Sequence, residues 1–325
     1  MQGKEVSEQE TLKCTAGIDV SKNWLDAHVL PASESLRAAN TTGGIRQLKR
    51  WLVRLKVQLV AIEPTGKWHR ELCRSLRASQ IAVAVVNPYR LRSFAKAHGI
   101  LAKTDRLDAK VLAMFAVMMA PICRAPTPQA LEAMQELITA RASAVEEQTA
   151  LKNQRGAAVS VFLKRQLTRR IAQLHAHIKA LEVECLKRIK ADEGLARRFA
   201  ILRSIPGFGV VVVMTLVACL SELGSLSNKE AGALAGLAPV PDDSGERQGV
   251  RVIWGGRGAV RRILYLAALS AKACNSDMRN FYSRLTANGK TPKKALIAVA
   301  RKLIALANTL ITQDRIWQPT SPQNA

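Results

Sequence analysis

Residues 15–30 read TAGIDVSKNWLDAHVL, and this stretch decides how the first part of the chain folds. Thr15–Val20 (TAGIDV) is a short apolar strand with one acid, Asp19, inside it. Trp24–Leu30 (WLDAHVL) alternates polar and apolar residues, the period of a strand with one buried face. Residues 36–41 predict a third strand. Beyond them the period changes: Ile45, Leu48, Trp51 and Leu52 recur at helical spacing over 44–55. The run VQLVAI (57–62) is continuously apolar, the mark of a parallel strand buried on both faces. Residues 68–77 read as a helix, IAVAVV (81–86) as another buried strand ended by Asn87-Pro88, and 91–97 and 105–120 as helices. Residues 1–120 are therefore expected to form one α/β domain: a three-strand meander, then helix, strand, helix, strand, helix.

That order resembles a ribonuclease-H-like nuclease domain. In such a topology the first strand is central, the fourth lies beside it, and a late helix crosses their ends. Four carboxylates fall at those places. Asp19 sits within GIDVS, Glu63 ends VQLVAIE, and Asp105 and Asp108 stand three apart at a helix start, on one face. A charge inside a buried strand is costly unless compensated. Four acids in one place repel one another unless a cation joins them, and Mg²⁺, with Mn²⁺ as an alternative, suits hard oxygen donors. Two ions about 4 Å apart could flank a scissile phosphate. Taken singly, Asp105 also fits a helix cap and Glu63 a strand-end charge.

Charge points to the partner. The chain of 325 residues carries 49 Lys+Arg against 25 Asp+Glu, a net +24. The excess is spread out: 19 basic to 10 acidic over 1–120, 14 to 8 over 121–200, and 16 to 7 over 201–325. A polyanion touching every region, meaning nucleic acid, fits this better than a basic tail or a membrane-bound helix. Aromatics are only 4%, too few for stacking to be the main binding device. The longest apolar stretch, 208–220, falls short of the ~20 residues of a membrane span, and the N-terminus has no apolar leader core. A cytoplasmic protein without a membrane partner is expected. The six cysteines form no C-x-x-C pair, which leaves zinc and disulfide frameworks unsupported.

A Pro-rich connector (121–128) leads to a helical region. Leu167, Ile171, Leu174, Ile178, Leu181 and Cys185 form an a/d seam, preceded by a stripe of Leu131, Met134, Ile138, Ala142 and Val145, with a bend expected at Arg155-Gly156. A coiled-coil region over 121–200 and a mainly α domain over 201–325 follow. SIPGFG (204–209) before an apolar helix resembles a helix-hairpin-helix turn, whose backbone N–H groups can hold a phosphate. Residues 228–235 read as a short helix, 239–254 as an irregular loop, and 259–273 and 292–312 as helices. Arg261, Arg262, Lys290, Lys293, Lys294, Arg301 and Lys302 lie on those last helices or the turn between them, a candidate phosphate-contact surface or, one by one, a solvated helix face.

GIDVSK (17–22), AIEPTG (61–66), VNP (86–88) running on to FAKAHG (94–99), and KTDRLDA (103–109) match in order the N-terminal pattern of DEDD-type insertion-sequence transposases. These are bridge-RNA-guided recombinases related to Piv-type DNA invertases. SIPGFG, AGLAPVPDDSG (235–245), GRGAVRRILYLAAL (256–269) and RLTANGKTPKKALIAVARKL (284–303) resemble the same family further on. The resemblance implies a RuvC-like domain, a coiled-coil insertion and a C-terminal transposase domain. It implies that Asp19, Glu63, Asp105 and Asp108 are the acidic tetrad, and that Ser244, in Pro241-Asp-Asp-Ser-Gly245, is the nucleophile. A hydroxyl in a Gly-containing loop can reach a phosphate, and Arg247, Arg251 and Arg257 could stabilise the transition state. The loop lacks the extra serines and some basic residues of relatives, which bears on which arginines touch the phosphate.

The expected activity is that of a transposase that cuts and rejoins DNA through a phosphoserine, with donor and target DNA, a structured guide RNA, and a homo-oligomer (dimer or tetramer) as partners. A Piv-type invertase, a junction-resolving nuclease that uses water, and a non-catalytic nucleic-acid-binding protein are the alternatives.

Overall fold

The computed structural model describes residues 14–319, apart from 101, 103, 124, 241–248 and 250 and the side chain of residue 106. Two compact units meet in sequence between Pro126 and Thr127.

The first unit contains β1 (Thr15–Val20), β2 (Trp24–Leu30), β3 (Glu34–Ala39), α1 (Thr42–Arg54), β4 (Leu59–Ile62), α2 (Arg70–Arg77), β5 (Ala82–Val85), α3 (Pro88–Ala97) and α4 (Asp105–Met119). The sheet order is β3-β2-β1-β4-β5, so β1 is central with β4 beside it, as expected. β1–β2 and β2–β3 pair antiparallel, while β1–β4 and β4–β5 pair parallel. The meander thus joins a two-crossover parallel half through β1.

Strand alternation sorts side chains between two cores. Ile18, Val20, Leu25, Ala27 and Val29 face one way and bury against Ile45, Leu48 and Leu52 of α1 and Leu72 and Leu76 of α2. Ala61 faces the other way, with Leu91 and Phe94 of α3 and Val111, Leu112 and Phe115 of α4. Helix boundaries follow local chemistry. Asn87 accepts from the Tyr89 N–H at 2.8 Å, and Pro88 takes the first position of α3. The Asn-Pro pair that ends a strand therefore also starts a helix, three residues ahead of the expected start at 91.

The second unit contains α5 (Gln129–Ala157), α6 (Val161–Lys190), α7 (Glu193–Arg203), α8 (Val210–Cys219), α9 (Asn228–Leu234), the paired short strands β6 (Pro239–Val240) and β7 (Val252–Ile253), α10 (Gly258–Cys274), α11 (Ser276–Ala287) and α12 (Pro292–Thr312). α5 and α6 form an antiparallel hairpin: Arg141 pairs with Glu182 at 2.6 Å and Arg170 with Glu147 at 3.1 Å. Leu167, Ile178 and Cys185 of the expected seam are buried, while Ile171, Leu174 and Leu181 are half-buried.

Three expectations change. The bend falls at 158–160, not at Arg155-Gly156: Gly156 stays helical, and the Ser160 hydroxyl caps α6 by accepting from the Leu163 N–H. The loop expected over 239–254 carries the two short paired strands. α11 stands where only a turn was expected, because Asn275 ends α10 and caps α11 through the Met278 N–H, and only Met278 of that helix is buried. With one buried position, the helical period is faint in sequence.

α8 is buried from Val212 to Ala218 and forms the centre of this unit. α12 is the one helix among the described residues long and apolar enough to cross a membrane. Its Leu296, Val299, Leu303, Ile304, Ala307 and Leu310 lie in the core of the unit instead. Asn308 ties α12 to the loop before α9: its Oδ1 accepts from the Gly224 N–H at 2.8 Å, and its Nδ2 donates to the Leu226 carbonyl at 2.7 Å.

Candidate active site

The site begins with the register of β1. Thr15, Gly17 and Asp19 share one face of the strand, opposite the face built from Ala16, Ile18 and Val20. α4 lies against that face. The Thr15 hydroxyl donates to the Ala113 carbonyl at 3.4 Å. At Gly17 the helix backbone comes so near that a Cβ would stand 2.1 Å from the Ala109 carbonyl oxygen and 2.3 Å from the Ala113 nitrogen. Glycine is required there for close approach, not for an unusual φ. Moving along β1 from Thr15 to Gly17, contacts on α4 run back from Ala113 to Ala109. One further step to Asp19 reaches the start of α4, where Asp105 and Asp108 occupy the first turn.

β4 completes the set. Gly17 pairs with Ala61 and Ile18 with Ile62 in parallel register. Continuing by one residue sets Glu63 beside Asp19, at the end of the strand and on the same face.

The electrostatics agree with this geometry. Asp19 is pushed up from 3.8 to about 6, first by burial and then by the negative charges of Asp108, Asp105, Glu63 and Asp26. The other three expected carboxylates therefore all act on Asp19. The fifth, Asp26, was not singled out in the sequence. It lies directly across from Asp19 in the β1–β2 ladder and is only 3% exposed. An acid inside the apolar run WLDAHVL was the available signal, the same one that marks Asp19.

Asp26 is compensated by Arg37, its cross-strand partner on β3. The Arg37 guanidinium lies 2.9 Å from Asp26 and also reaches Asp105 at 3.2 Å. These contacts raise the Arg37 pKa further, the hydrogen bond to Asp26 contributing most. As placed, no three Asp, Glu, His or Cys groups among the described residues converge closely enough to grip a single ion. The donor set itself suits a hard divalent cation: carboxylate oxygens drawn to one sheet face, with Asp19 held high by burial and by its acidic neighbours.

The expected basic contacts separate into two kinds. The Arg257 guanidinium is committed inside the fold, to Glu222 and to the Cys219 carbonyl at 2.7 Å. Arg261 donates to the Gly255 carbonyl at 2.8 Å, and Arg262 pairs with Glu146 of α5 at 2.5 Å. Arg301 packs across Gly232 of α9. Arg251, Lys290, Lys293 and Lys294 are exposed, and Lys302 lies over the Phe281 ring at 4.7 Å. Ser244 and Arg247 lie outside the described residues.

Comparison with known proteins places these features in a family. Residues 16–163 match a transposase model of the DEDD, IS110 type, and residues 199–283 match the IS116/IS110/IS902 transposase family. The pilin gene-inverting protein of Moraxella bovis is 26% identical over 314 residues, covering 93% of this chain and 97% of its own length. The 44.8 kDa protein of insertion element IS116 from Streptomyces clavuligerus is 28% identical over 168 residues, 48% of this chain and 39% of that protein. The 42 kDa protein of IS900 from Mycobacterium paratuberculosis is 29% identical over 159 residues, 46% of this chain and 39% of that protein. The first family match begins at Ala16, inside the strand that carries Asp19, and extends past Asp105 and Asp108, so the chain with this carboxylate face belongs to the IS110-type transposases.

Proposed function

We propose that this chain cuts DNA by divalent-metal-assisted phosphoryl transfer at the face formed by Asp19, Glu63, Asp105 and Asp108, with Ser244 as nucleophile. The observation that carries this reading is Asp19, raised to about 6 by burial and by three partners from β4 and α4. Chain segments far apart in sequence deliver these charges to one place against their mutual repulsion. The strand order supports a ribonuclease-H-like first unit, and the turn at 204–209 entering the apolar α8 supports a helix-hairpin-helix-like phosphate grip.

In this mechanism the Ser244 oxygen attacks phosphorus, an Oγ–P bond forms, and the bond to one strand's leaving oxygen breaks. That oxygen takes up a proton. An incoming strand hydroxyl then displaces serine, which regains its proton, and the phosphodiester is restored without hydrolysis. Mg²⁺, held by Asp19, Glu63, Asp105 and Asp108, would supply charge neutralisation at the attacking and leaving oxygens. The chain's part is to hold the carboxylates on a rigid sheet and helix start, and to present exposed cations, including Arg251, Lys290, Lys293 and Lys294, to the phosphates. A structured guide RNA and an oligomer that unites the units of neighbouring subunits complete the proposal.

The test uses labelled donor and target DNA, with the RNA encoded beside the gene, on denaturing gels with and without protease. A protease-sensitive adduct is expected from the parent in Mg²⁺. None is expected from Ser244→Ala or in a chelator, and Asp19→Ala should still bind DNA without cutting it. Cutting by Ser244→Ala without an adduct would replace serine by water. Full joining by Asp19→Ala would remove the carboxylate face from the reaction.

The full-length likeness to the pilin gene-inverting protein favours a second reading, inversion between fixed sites by the same chemistry. Two inverted sites on one plasmid, assayed without added RNA, separate the two: inversion there favours the invertase.

A further inference from the structure

The carboxylate face has a border of exposed indole rings. Trp24, the first residue of β2, is 47% exposed, and Trp68, between β4 and α2, is 37% exposed. Neither joins a hydrophobic core of the first unit, whereas Trp51 packs against one. In a chain with only five tryptophans, two left in water at one place call for a partner.

The two rings belong to a single pinned structure. Asn40, just after β3, donates from its Nδ2 to the Ser21 carbonyl at 2.8 Å and to the Trp68 carbonyl at 3.4 Å. Its backbone N–H donates to the Asn23 carbonyl at 2.8 Å. The β1–β2 turn and the segment after β4 are thus held by one side chain. Trp24 lies two residues from Asp26 on the same strand face, about 7 Å along the strand. Asp26 is directly across from Asp19. Trp24 therefore stands on the carboxylates' side of the sheet, and Trp68 is tied through Asn40 to the β1–β2 turn next to it.

Cations accompany both rings. The Arg37 guanidinium lies 5.5 Å from the Trp24 ring centre, and Lys22 and Lys67 lie 5.9 and 5.5 Å from that of Trp68. The rest of the surround is polar: Ser21, Asn23 and Asn40. That composition does not suit a dry protein interface, whose centre is depleted of charge. Indole faces interleaved with lysine and arginine suit nucleic acid, the rings for bases and the cations for phosphates. A paired, stacked duplex offers no base face. An unpaired nucleotide does.

We propose that Trp24 and Trp68 form a ledge that stacks unpaired bases of the DNA next to the phosphate being cut. The inference rests on the carboxylate face being the cutting site, and it adds a preference for locally opened DNA. It concerns one ledge, not a stacking surface along the chain.

The test reads binding, not cutting. The full chain is titrated into two 30-base-pair DNA duplexes, one fully paired and one with four unpaired nucleotides that include 2-aminopurine. Tighter binding of the opened probe is expected, with 2-aminopurine fluorescence quenched by stacking. Trp24→Ala and Trp68→Ala should each weaken binding of the opened probe roughly tenfold and lose the quench, as expected for one base–aromatic stack. Binding of the paired probe should not change, and Trp24→Phe and Trp68→Phe should restore most of the preference. Parent-like binding and quenching by both alanine variants would overturn the ledge, and so would equal weakening on both probes. A change of sedimentation in the alanine variants with no change in probe binding would also overturn it, by making this face a contact between proteins. Strand cutting by Asp19→Asn, measured on separate samples, tests the carboxylate face by itself, so the two ideas fail by different readouts.

Discussion

Replacing Asp19 by Asn should make the metal-free protein more stable at neutral pH while abolishing cutting. The sign follows from linkage. Asp19 titrates near 6 in the folded chain against an ordinary 3.8, so between those values the folded state holds more protons than the unfolded state. Stability contributed by this residue therefore falls as pH rises from about 4 to about 6, and the full penalty remains above that. At 1.36 kcal/mol per pKa unit the rise from 3.8 to about 6 corresponds to about 3 kcal/mol. Asp19 keeps some solvent contact, and screening brings the expected gain of Asp19→Asn to about 2 kcal/mol at pH 7.5. At pH 3.5 both proteins carry a neutral group there, and the difference should vanish. The assay is urea denaturation in EDTA at both pH values, with the transition of the first unit followed by amide exchange in α4, since a chain of two units need not unfold in one step. Adding Mg²⁺ should stabilise the parent and not Asp19→Asn, because binding to the folded state alone adds stability. An Asn variant no more stable than the parent at pH 7.5 would refute the claim that burial and neighbouring carboxylates hold Asp19 above its ordinary range.

Gly17→Ala should destabilise the first unit by about 1–3 kcal/mol or more and impair cutting, because its Cβ would meet the Ala109 carbonyl at 2.1 Å and force α4, with Asp105 and Asp108, off the sheet; urea titration and the gel assay check both. Asn308→Leu should cost about 3 kcal/mol in the second unit, read by thermal unfolding, since it leaves the Gly224 N–H and the Leu226 carbonyl without their buried partner. If six to ten phosphates are contacted, affinity for DNA should fall about 10³–10⁵-fold between 50 and 200 mM salt, and a flat salt response would show that the +24 charge is not used for binding.

The first unit was legible because its strands announce themselves. The apolar runs at β4 and β5 and the alternation of β2 gave the order of elements, and the order led to a central β1. The second unit was harder, and α11 and the true bend of the α5–α6 hairpin show why. Position 156 is glycine, a residue that weakens helices, yet α5 runs through it, and a capping serine four residues later sets the turn. One weak helix former does not outweigh a favourable cap and a long packed seam. At the site, the expected carboxylates could be named from sequence because each breaks an apolar pattern or opens a helix. Asp26 breaks such a pattern too, but its meaning depends on a cross-strand partner, Arg37, and pairing between strands is not written in either strand alone.

The pairing of Arg37 also clarifies what the fold does with charge. The chain is strongly basic everywhere in sequence, yet the face of β1 under the start of α4 gathers Asp19, Asp26, Glu63, Asp105 and Asp108. Arg37 offsets part of this, holding Asp26 from across the ladder and reaching Asp105 beyond it. Asp19 stays high even so, held there first by burial and then by the field of the neighbouring carboxylates. Folding could relieve that field by placing lysine or arginine at Gly17, Thr15 or Ala61 on the same face, but close contact with α4 forbids a side chain at Gly17, and small residues fill the others. Close packing therefore fixes the carboxylates and at the same time excludes the chain's own cations from between them. A sheet face built this way retains negative charge inside a positive protein, and the proposed binding of a divalent ion beside a phosphate rests on that inverted sign.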